Sequence, residues 1–265
     1  MIVDGRTVAK EILEQVRVNV AALSRTPIVR AISVSPTPAS KSYLKIKAAR
    51  ATDAGMRLEV VELNDSATTE EVIEAVQKGG VDAVIVQLPL PSHIDTHKVV
   101  NAIPFMQDAD VLSDDAKFRF ENEGIVPPVA EAMRELFERY DISPADTYAV
   151  VLGEGELVGK PCATLLEKMG ARVLTMNIDT WHPEHLKDAD IVVCGVGKAG
   201  LVQPEMLKEG VVLIDAGASE VEGAIKGDCD PRCADIASVF TPVPGGMGPI
   251  VVACLFRNVA TLSVV

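Results

Sequence analysis

The sequence predicts an α/β protein of two domains, each with a mainly parallel sheet and flanking helices. Two observations carry this. Short apolar runs alternate with helical patterns over residues 7–87, the signature of βαβ units. That rhythm is lost over 104–126, where the chain is charged and irregular, and resumes at 148. A third observation types the second domain. Its first strand runs into Gly153-Glu154-Gly155-Glu156-Leu157-Val158-Gly159, and Lys160-Pro161 then opens a helix. Strand, glycine turn and helix start is the order a dinucleotide site requires, because glycines let the backbone approach a pyrophosphate and the helix start offers N–H groups. The spacing is one residue longer than the usual fingerprint. The second domain is therefore expected to be Rossmann-like and dinucleotide-binding.

The elements follow in order. Val8, Ile12, Val16, Val20 and Leu23 fall at helical spacing and predict a helix over 7–24. The apolar run 28–34 reads as a strand. A helix over 39–54 stops near Gly55, since glycine readily adopts the left-handed conformation that ends helices. A strand at 58–63 precedes a helix over 69–78, whose first turn carries Glu70 and Glu71, as the helix dipole prefers. A third strand covers 81–87. A helix over 128–139 leads into the second alternation, with strands at 148–152, 172–176, 191–194 and 211–216 and a helix at 158–169. Residues 241–249 are too rich in Gly and Pro to be regular. The last helix, 250–262, is apolar on most sides and is expected to pack back onto the first domain. The expected division is 1–120, completed by 250–265, and 121–249.

Composition narrows the class. Of 265 residues 48% are hydrophobic, enough for ordinary cores. No apolar run reaches membrane-span length, and Met1-Ile2-Val3-Asp4-Gly5-Arg6 does not resemble a secretory leader. The five cysteines, Cys162, Cys194, Cys229, Cys233 and Cys254, are odd in number and scattered, which argues against a disulfide framework and for a reducing cytoplasm. Cys229 and Cys233 lack a second pair to complete a zinc site, so plain thiols and no metal are expected. A net charge of −13 disfavours nucleic acid and anionic membranes as partners.

Several polar residues stand where chemistry could use them. Tyr43 and Lys47 lie four apart on one face of a predicted helix, where a phenol and an amine can tune each other's protonation. Alone, the pair is better explained by a solvated helix face. Gln87 ends the third strand, and ligands of open α/β sheets sit outside the carboxyl ends of strands. The prolines of Leu88-Pro89-Leu90-Pro91 stiffen the loop after it. Asp108 and Asp110 lie in the irregular crossing segment, where a loop could aim a carboxylate into a cleft. His93, Asp95 and His97 alternate along a predicted exposed turn and read as solvated. Neither a serine-hydrolase elbow nor a zinc-protease motif is present.

Taken in one order, Ile2-Val3-Asp4-Gly5, Pro38-Ala39-Ser40 leading to Tyr43 and Lys47, Gln87-Leu88-Pro89-Leu90-Pro91, Asp108-Ala109-Asp110, Gly153 to Pro161 and Thr241-Pro242-Val243-Pro244-Gly245-Gly246-Met247-Gly248-Pro249 resemble the bifunctional methylenetetrahydrofolate dehydrogenase/cyclohydrolase family over nearly the whole chain. The resemblance implies oxidation of 5,10-methylenetetrahydrofolate by NAD or NADP, then hydrolysis of the methenyl product to 10-formyltetrahydrofolate. It implies that Lys47 activates water, Gln87 holds Lys47, Tyr43 orients the folate and Asp110 anchors the pterin. Ser40, Leu88, Pro89, Pro244, Gly245 and Gly246 would border the folate. Gly153, Glu154, Gly155, Leu157, Val158, Asn177, Asp179, Gly197, Gly217, Ala218 and Thr241 would border the dinucleotide. It further implies a cytoplasmic homodimer serving one-carbon metabolism and purine biosynthesis.

The chain departs from the family pattern at defined places. Glu154-Gly155 replaces the usual Arg-Ser, and Asn177-Ile178-Asp179 the usual His-Ser, both of which normally help receive a 2′-phosphate. A cation has become an anion, which predicts that NAD is used at least as well as NADP. Val111-Leu112-Ser113 stands for Gly-Phe-His, and Val251 for Thr. A monofunctional dehydrogenase of the same fold and a noncatalytic nucleotide-binding module are the alternatives. Retained Lys47 and Gln87 argue against both.

Overall fold

The computed structural model describes residues 1–122 and 124–264. The chain forms two compact units. One is Lys10–Pro128 with the chain from Val252 on, and the other is Met1–Ala9 with Val129–Val251.

The first unit contains most of α1 (Gly5–Ala21), then β1 (Ile28–Val34), α2 (Pro38–Asp53), β2 (Arg57–Leu63), α3 (Thr69–Gln77), β3 (Ala83–Val86), α4 (Thr96–Asn101) and α5 (Asp114–Glu121). Its sheet is wholly parallel in the order β2-β1-β3, with Ile28 opposite Arg57 and Ala31 opposite Ile85. Chain order reverses about β1, so the ends of β1 and β3 flank the crevice where such sheets take ligands. Ile32, Val72, Val76, Val84 and Val99 are fully buried in its core. Thr68 and Glu71 form a capping box at the start of α3, each side chain bonding the other's backbone N–H.

The second unit contains α6 (Pro128–Arg139), β4 (Tyr148–Leu152), α7 (Gly159–Lys168), β5 (Arg172–Met176), β6 (Ile191–Cys194), β7 (Val212–Asp215), the hairpin β8 (Ser219–Val221) and β9 (Ala224–Lys226), and β10 (Val239–Thr241). The strand order is β10-β7-β6-β4-β5, all parallel. Its switch point lies between β4 and β6, the position of a dinucleotide site in Rossmann sheets. α8 (Met247–Leu262) begins in this unit and ends in the first.

Several expectations need correction. Residues 1–9 group with the second unit because Val3 N–H donates to Phe240 O at 2.9 Å and Gly5 N–H to Gly245 O at 3.0 Å. The irregular segment holds α5, and α4 lies just before it. Both are too short to show a hydrophobic period and are started by caps instead. Asp95 accepts from Lys98 N–H at 3.0 Å, and Ser113 accepts from Ala116 N–H at 3.3 Å. Asp95 is thus a cap, and His97 lies in the first helical turn bonded to Asp114, while His93 contacts Ala67 O. All three are exposed, and no metal-binding cluster occurs among the described residues. The Gly- and Pro-rich 241–249 segment is partly regular. β10 ends in it and α8 starts at Met247, with Gly248 and Pro249 in the first turn, where a missing N–H goes unnoticed. Among the described residues no helix is long and apolar enough to cross a membrane. Among the described residues no cysteine forms a disulfide, and all five are buried.

Candidate active site and dinucleotide cradle

The polar cluster of the first unit begins at the cap of α2. Thr37 accepts a hydrogen bond from Ser40 N–H at 3.1 Å, and Pro38 fills the first helical position. This fixes the helix start, and therefore which face carries Tyr43 and Lys47. Lys47 is only 6% exposed, and its Nζ lies 5.0 Å from the centroid of the Tyr43 ring. Lys47 Nζ donates to Gln87 Oε1 at 3.3 Å, while Gln87 Nε2 donates to Leu88 O at 3.0 Å. The second bond orients the amide so that its oxygen faces the lysine. Leu88–Pro89 is a cis peptide.

Asp110 completes the cluster electrostatically. Burial pushes the Lys47 amine below the ordinary lysine range, with the negative charge of Asp110 pulling the other way. Burial, reinforced by Asp110, pushes the Tyr43 phenol up to about 12, so it stays a neutral donor. Burial also raises Asp110, opposed by Lys47 and aided by Asp108. The two aspartates divide their work. Asp108 is fully buried and accepts from Leu112 N–H, Ser113 N–H at 2.8 Å and Ser113 Oγ at 2.6 Å. It closes the turn in which Val111 takes a positive φ of 57°. Asp110 makes no hydrogen bond among the described residues and is partly exposed, which leaves its carboxylate open. Asn258 of α8 braces the same turn, its Nδ2 donating to Ala109 O at 2.9 Å and to Val126 O at 2.8 Å. Asp108's role as a brace and that of Asn258 escape sequence reading. Asn258 lies 149 residues from Ala109, and no local pattern marks it.

In the second unit the ends of β4 and β6 meet through glycines. Gly153 has φ 109°, and a Cβ there would lie 2.6 Å from Gly195 O. A Cβ on Gly159 would meet Gly153 O, so the start of α7 comes down on the turn. Gly155 has nothing within 4 Å of its Cβ position, so the loop leaves open space beside its backbone. That is the cradle a dinucleotide pyrophosphate fits. Leu157 is exposed, Val158 half-buried beneath Gly195, and Ala218 exposed.

Two buried carboxylates hold the neighbouring loops. Asp228 accepts from Val196 N–H at 2.7 Å, Gly197 N–H at 3.1 Å and Lys198 N–H at 2.7 Å. Asp215 accepts from the N–H groups of Gly217, Asp228 and Cys229. Burial pushes Asp215 up to about 6 against those bonds. Neither acid, nor Gly195, is marked by sequence spacing. A Cβ on Gly217 would strike the Asp228 carboxylate, so that glycine serves packing. Thr241 corrects an expectation. It is fully buried, and its hydroxyl bonds the backbone N–H and C=O of Asp215, so its side chain braces β10 to β7 and is closed to a ligand. Pro244, Gly245 and Gly246 belong to the second unit, where Gly245 has φ 105° and Gly246 N–H donates to Pro242 O at 2.7 Å.

Gly153→Ala is expected to strain the cradle. A non-glycine residue at this φ costs roughly 1–3 kcal/mol, and the clash is with backbone. Titration with NADH should show affinity reduced by about 5- to 150-fold, the equivalent of that strain. Affinity equal to the parent would mean the turn does not shape the site.

Two family models match the chain. The tetrahydrofolate dehydrogenase/cyclohydrolase catalytic domain matches residues 3–110, and the NAD(P)-binding domain of the same family matches residues 127–264. The bifunctional protein FolD of Thermus thermophilus is 34% identical over 264 residues, covering 97% of this chain and 94% of that protein. The crystal structure of the bifunctional enzyme FolD from Campylobacter jejuni superposes with a TM-score of 0.95 at 29% identity, covering 99% of this chain and 98% of that one. The Trypanosoma brucei methylenetetrahydrofolate dehydrogenase-cyclohydrolase, complexed with NADP and an inhibitor, gives a TM-score of 0.92 at 32% identity over 99% and 97% of the two chains. A polar cluster around the buried Lys47, a glycine cradle at the switch point of the other unit, family models over both parts of the chain and relatives 34% identical over 97% of it lead to one conclusion: the chain belongs to the tetrahydrofolate dehydrogenase/cyclohydrolase family.

Proposed function

We infer that this chain oxidises 5,10-methylenetetrahydrofolate to 5,10-methenyltetrahydrofolate with NAD(P) and hydrolyses the product to 10-formyltetrahydrofolate. The observation that carries the reading is the buried amine of Lys47, held on Gln87 and faced by Asp110. When bound, the nicotinamide supplies the hydride acceptor. On the protein side, dehydrogenation needs positioning more than acid, because the folate nitrogen beside the methylene carbon pushes the hydride out. Tyr43 offers a ring face and a neutral hydroxyl for that positioning, and Asp110 a carboxylate for the pterin.

Hydrolysis needs more. Water adds to the methenyl carbon and loses a proton as the C–O bond forms. A neutral Lys47 Nζ takes that proton, and the conjugate ammonium returns one to the leaving ring nitrogen as the C–N bond breaks, while the carbinol hydroxyl releases its proton to water and becomes the formyl C=O. Gln87 keeps the amine aimed in both protonation states, since its carbonyl accepts from NH₂ and NH₃⁺ alike. The test is the ultraviolet absorbance of methenyltetrahydrofolate followed with NAD, with NADP and with neither. Accumulation without decay would leave only the dehydrogenase.

The finer reading concerns the cofactor. NAD is used at least as well as NADP, supported by Glu154 and Asp179, which stand where the family pattern offers a cation and a hydroxyl. A 2′-phosphate carries nearly two negative charges and normally meets an Arg. Steady-state kcat/KM for both cofactors is expected to favour NAD or show parity. A clear NADP preference persisting at both low and high salt overturns it. The same reading makes the protein a cytoplasmic homodimer whose product serves purine biosynthesis, in keeping with buried thiols outside any disulfide. It assigns the folate chiefly to the unit of residues 10–128 with the chain from Val252 on, and the dinucleotide to the unit holding Val129–Val251.

A further inference from the structure

Glu154 is the second residue after β4, and Asn177 is the first after β5. These strands are neighbours, with Leu152 opposite Met176, and Gly153 N–H donates to Met176 O at 2.7 Å. The two side chains meet across the strand ends, Asn177 Nδ2 donating to Glu154 Oε2 at 2.8 Å. The Asn177 amide has no freedom to turn. Its Oδ1 accepts from Asp179 N–H at 3.0 Å, Thr180 N–H at 3.1 Å and Thr180 Oγ1 at 3.1 Å, which leaves only Nδ2 for the glutamate. Glu154 Oε1 has no hydrogen-bond partner among the described residues. Asp179 differs, because its backbone N–H is fixed in the turn while its exposed carboxylate is held by nothing described. The nearby cation Lys160 is paired with Glu156.

We propose that Glu154, held by the Asn177 amide, is the acid that receives the adenosine ribose hydroxyls and turns away a 2′-phosphate, with Asn177 its positioning residue. This rests on the NAD reading above and goes beyond it by assigning one of two candidate acids. The physical reason is preorganisation. A carboxylate already held by one oxygen loses less freedom when the other accepts a hydroxyl, and it must give up the Asn177 bond to swing aside from a phosphate. An unfixed exposed carboxylate gives up nothing to do so. The acid comes from the glycine loop itself, where the usual Rossmann acid lies further on, at the end of the following strand. Asn177, at that strand end, supplies the clamp instead.

Trp181 is the sole tryptophan of the chain. Its backbone N–H donates to Asn177 O at 3.0 Å, so it sits at the end of the same turn. Energy transfer from Trp181 to bound NADH or NADPH gives a dissociation constant for each in the full-length protein, without catalysis. The ratio of the two constants within one variant cancels any general loss of binding. Glu154→Gln keeps an acceptor for Asn177 but removes the charge. It is expected to shift the ratio toward NADPH by about tenfold, the worth of one charge-assisted contact. Asp179→Asn is expected to shift it by less than about twofold. In an Asn177→Ala background, Glu154→Gln should lose most of its effect on the ratio, because the glutamate is already released. Full additivity would make Asn177 a turn former only and overturn its positioning role. If Asp179→Asn gives the tenfold shift and Glu154→Gln does not, or if neither does, the assignment to Glu154 falls whichever cofactor the parent prefers. A parent that prefers NADPH, with Glu154→Gln strengthening that preference, would sink the NAD reading and leave the assignment standing.

Discussion

Lys47→Met is expected to reduce methenyltetrahydrofolate hydrolysis by about 100- to 10,000-fold, the usual worth of a positioned acid–base group, with far less effect on folate KM. Methionine matches the length of the lysine stem, so the buried, Tyr43-facing position stays filled. What is lost is the proton acceptor and the donor to Gln87 Oε1. Lys47→Arg tests the same point differently, since a guanidinium fills the space but does not give up its proton. Parent-like hydrolysis in either variant would remove Lys47 from the mechanism.

The protonation state of Lys47 also sets how stability depends on pH. The folded-state value of Lys47 is depressed by burial. Between that value and the ordinary value in the unfolded chain, the unfolded state holds the proton and the folded state does not, so the parent gains stability as pH rises through this window. Below it the buried amine is charged in both states and its desolvation cost is felt in full. Lys47→Met should therefore melt higher than the parent toward neutral and acid pH, with the gap closing as pH rises. A gap independent of pH would mean the amine is not desolvated in solution.

Asp110→Ala is expected to raise the folate KM by about 10- to 150-fold, corresponding to roughly 1.5–3 kcal/mol for one charge-assisted hydrogen bond. The fold should survive. Asp110 makes no hydrogen bond among the described residues, whereas Asp108 and Asn258 hold the turn without it. A second effect follows from the charge. Asp110 supports the protonated form of Lys47, so its removal lets the amine become neutral at lower pH. The acid limb of the hydrolysis pH profile should move down. An unchanged KM with an unchanged profile would place Asp110 outside the site. Asp108→Ala, by contrast, is expected to lose protein stability, because three donors of a buried turn lose their acceptor.

The sequence alone determined most of the scaffold and the local part of each site. The strands expected at 28–34, 148–152, 172–176 and 191–194 are the observed β1, β4, β5 and β6. β1, β4 and β6 are short apolar runs buried on both faces and bounded by turn residues, so they carry their own boundaries, and β5 is partly exposed but bounded in the same way. Tyr43 and Lys47 were legible as a pair because a helix brings residues four apart onto one face, and Gly153 because only glycine tolerates its φ beside another backbone. Tertiary structure decided what no spacing encodes. α4 and α5 arise from single capping side chains and have too few turns for a period to register. Gln87 meets Lys47 across 40 residues because parallel strands bring their carboxyl ends to one edge. Parallel pairing likewise sets Glu154 against Asn177 across 23 residues. Asp108 and Asp110 look interchangeable in the chain, and folding separates them by satisfying one carboxylate and leaving the other open. Thr241 looks like a ligand contact until burial closes its hydroxyl onto Asp215. Local propensity and pattern fix where elements form, but a polar side chain acquires its role only when packing decides which of its hydrogen bonds are already taken.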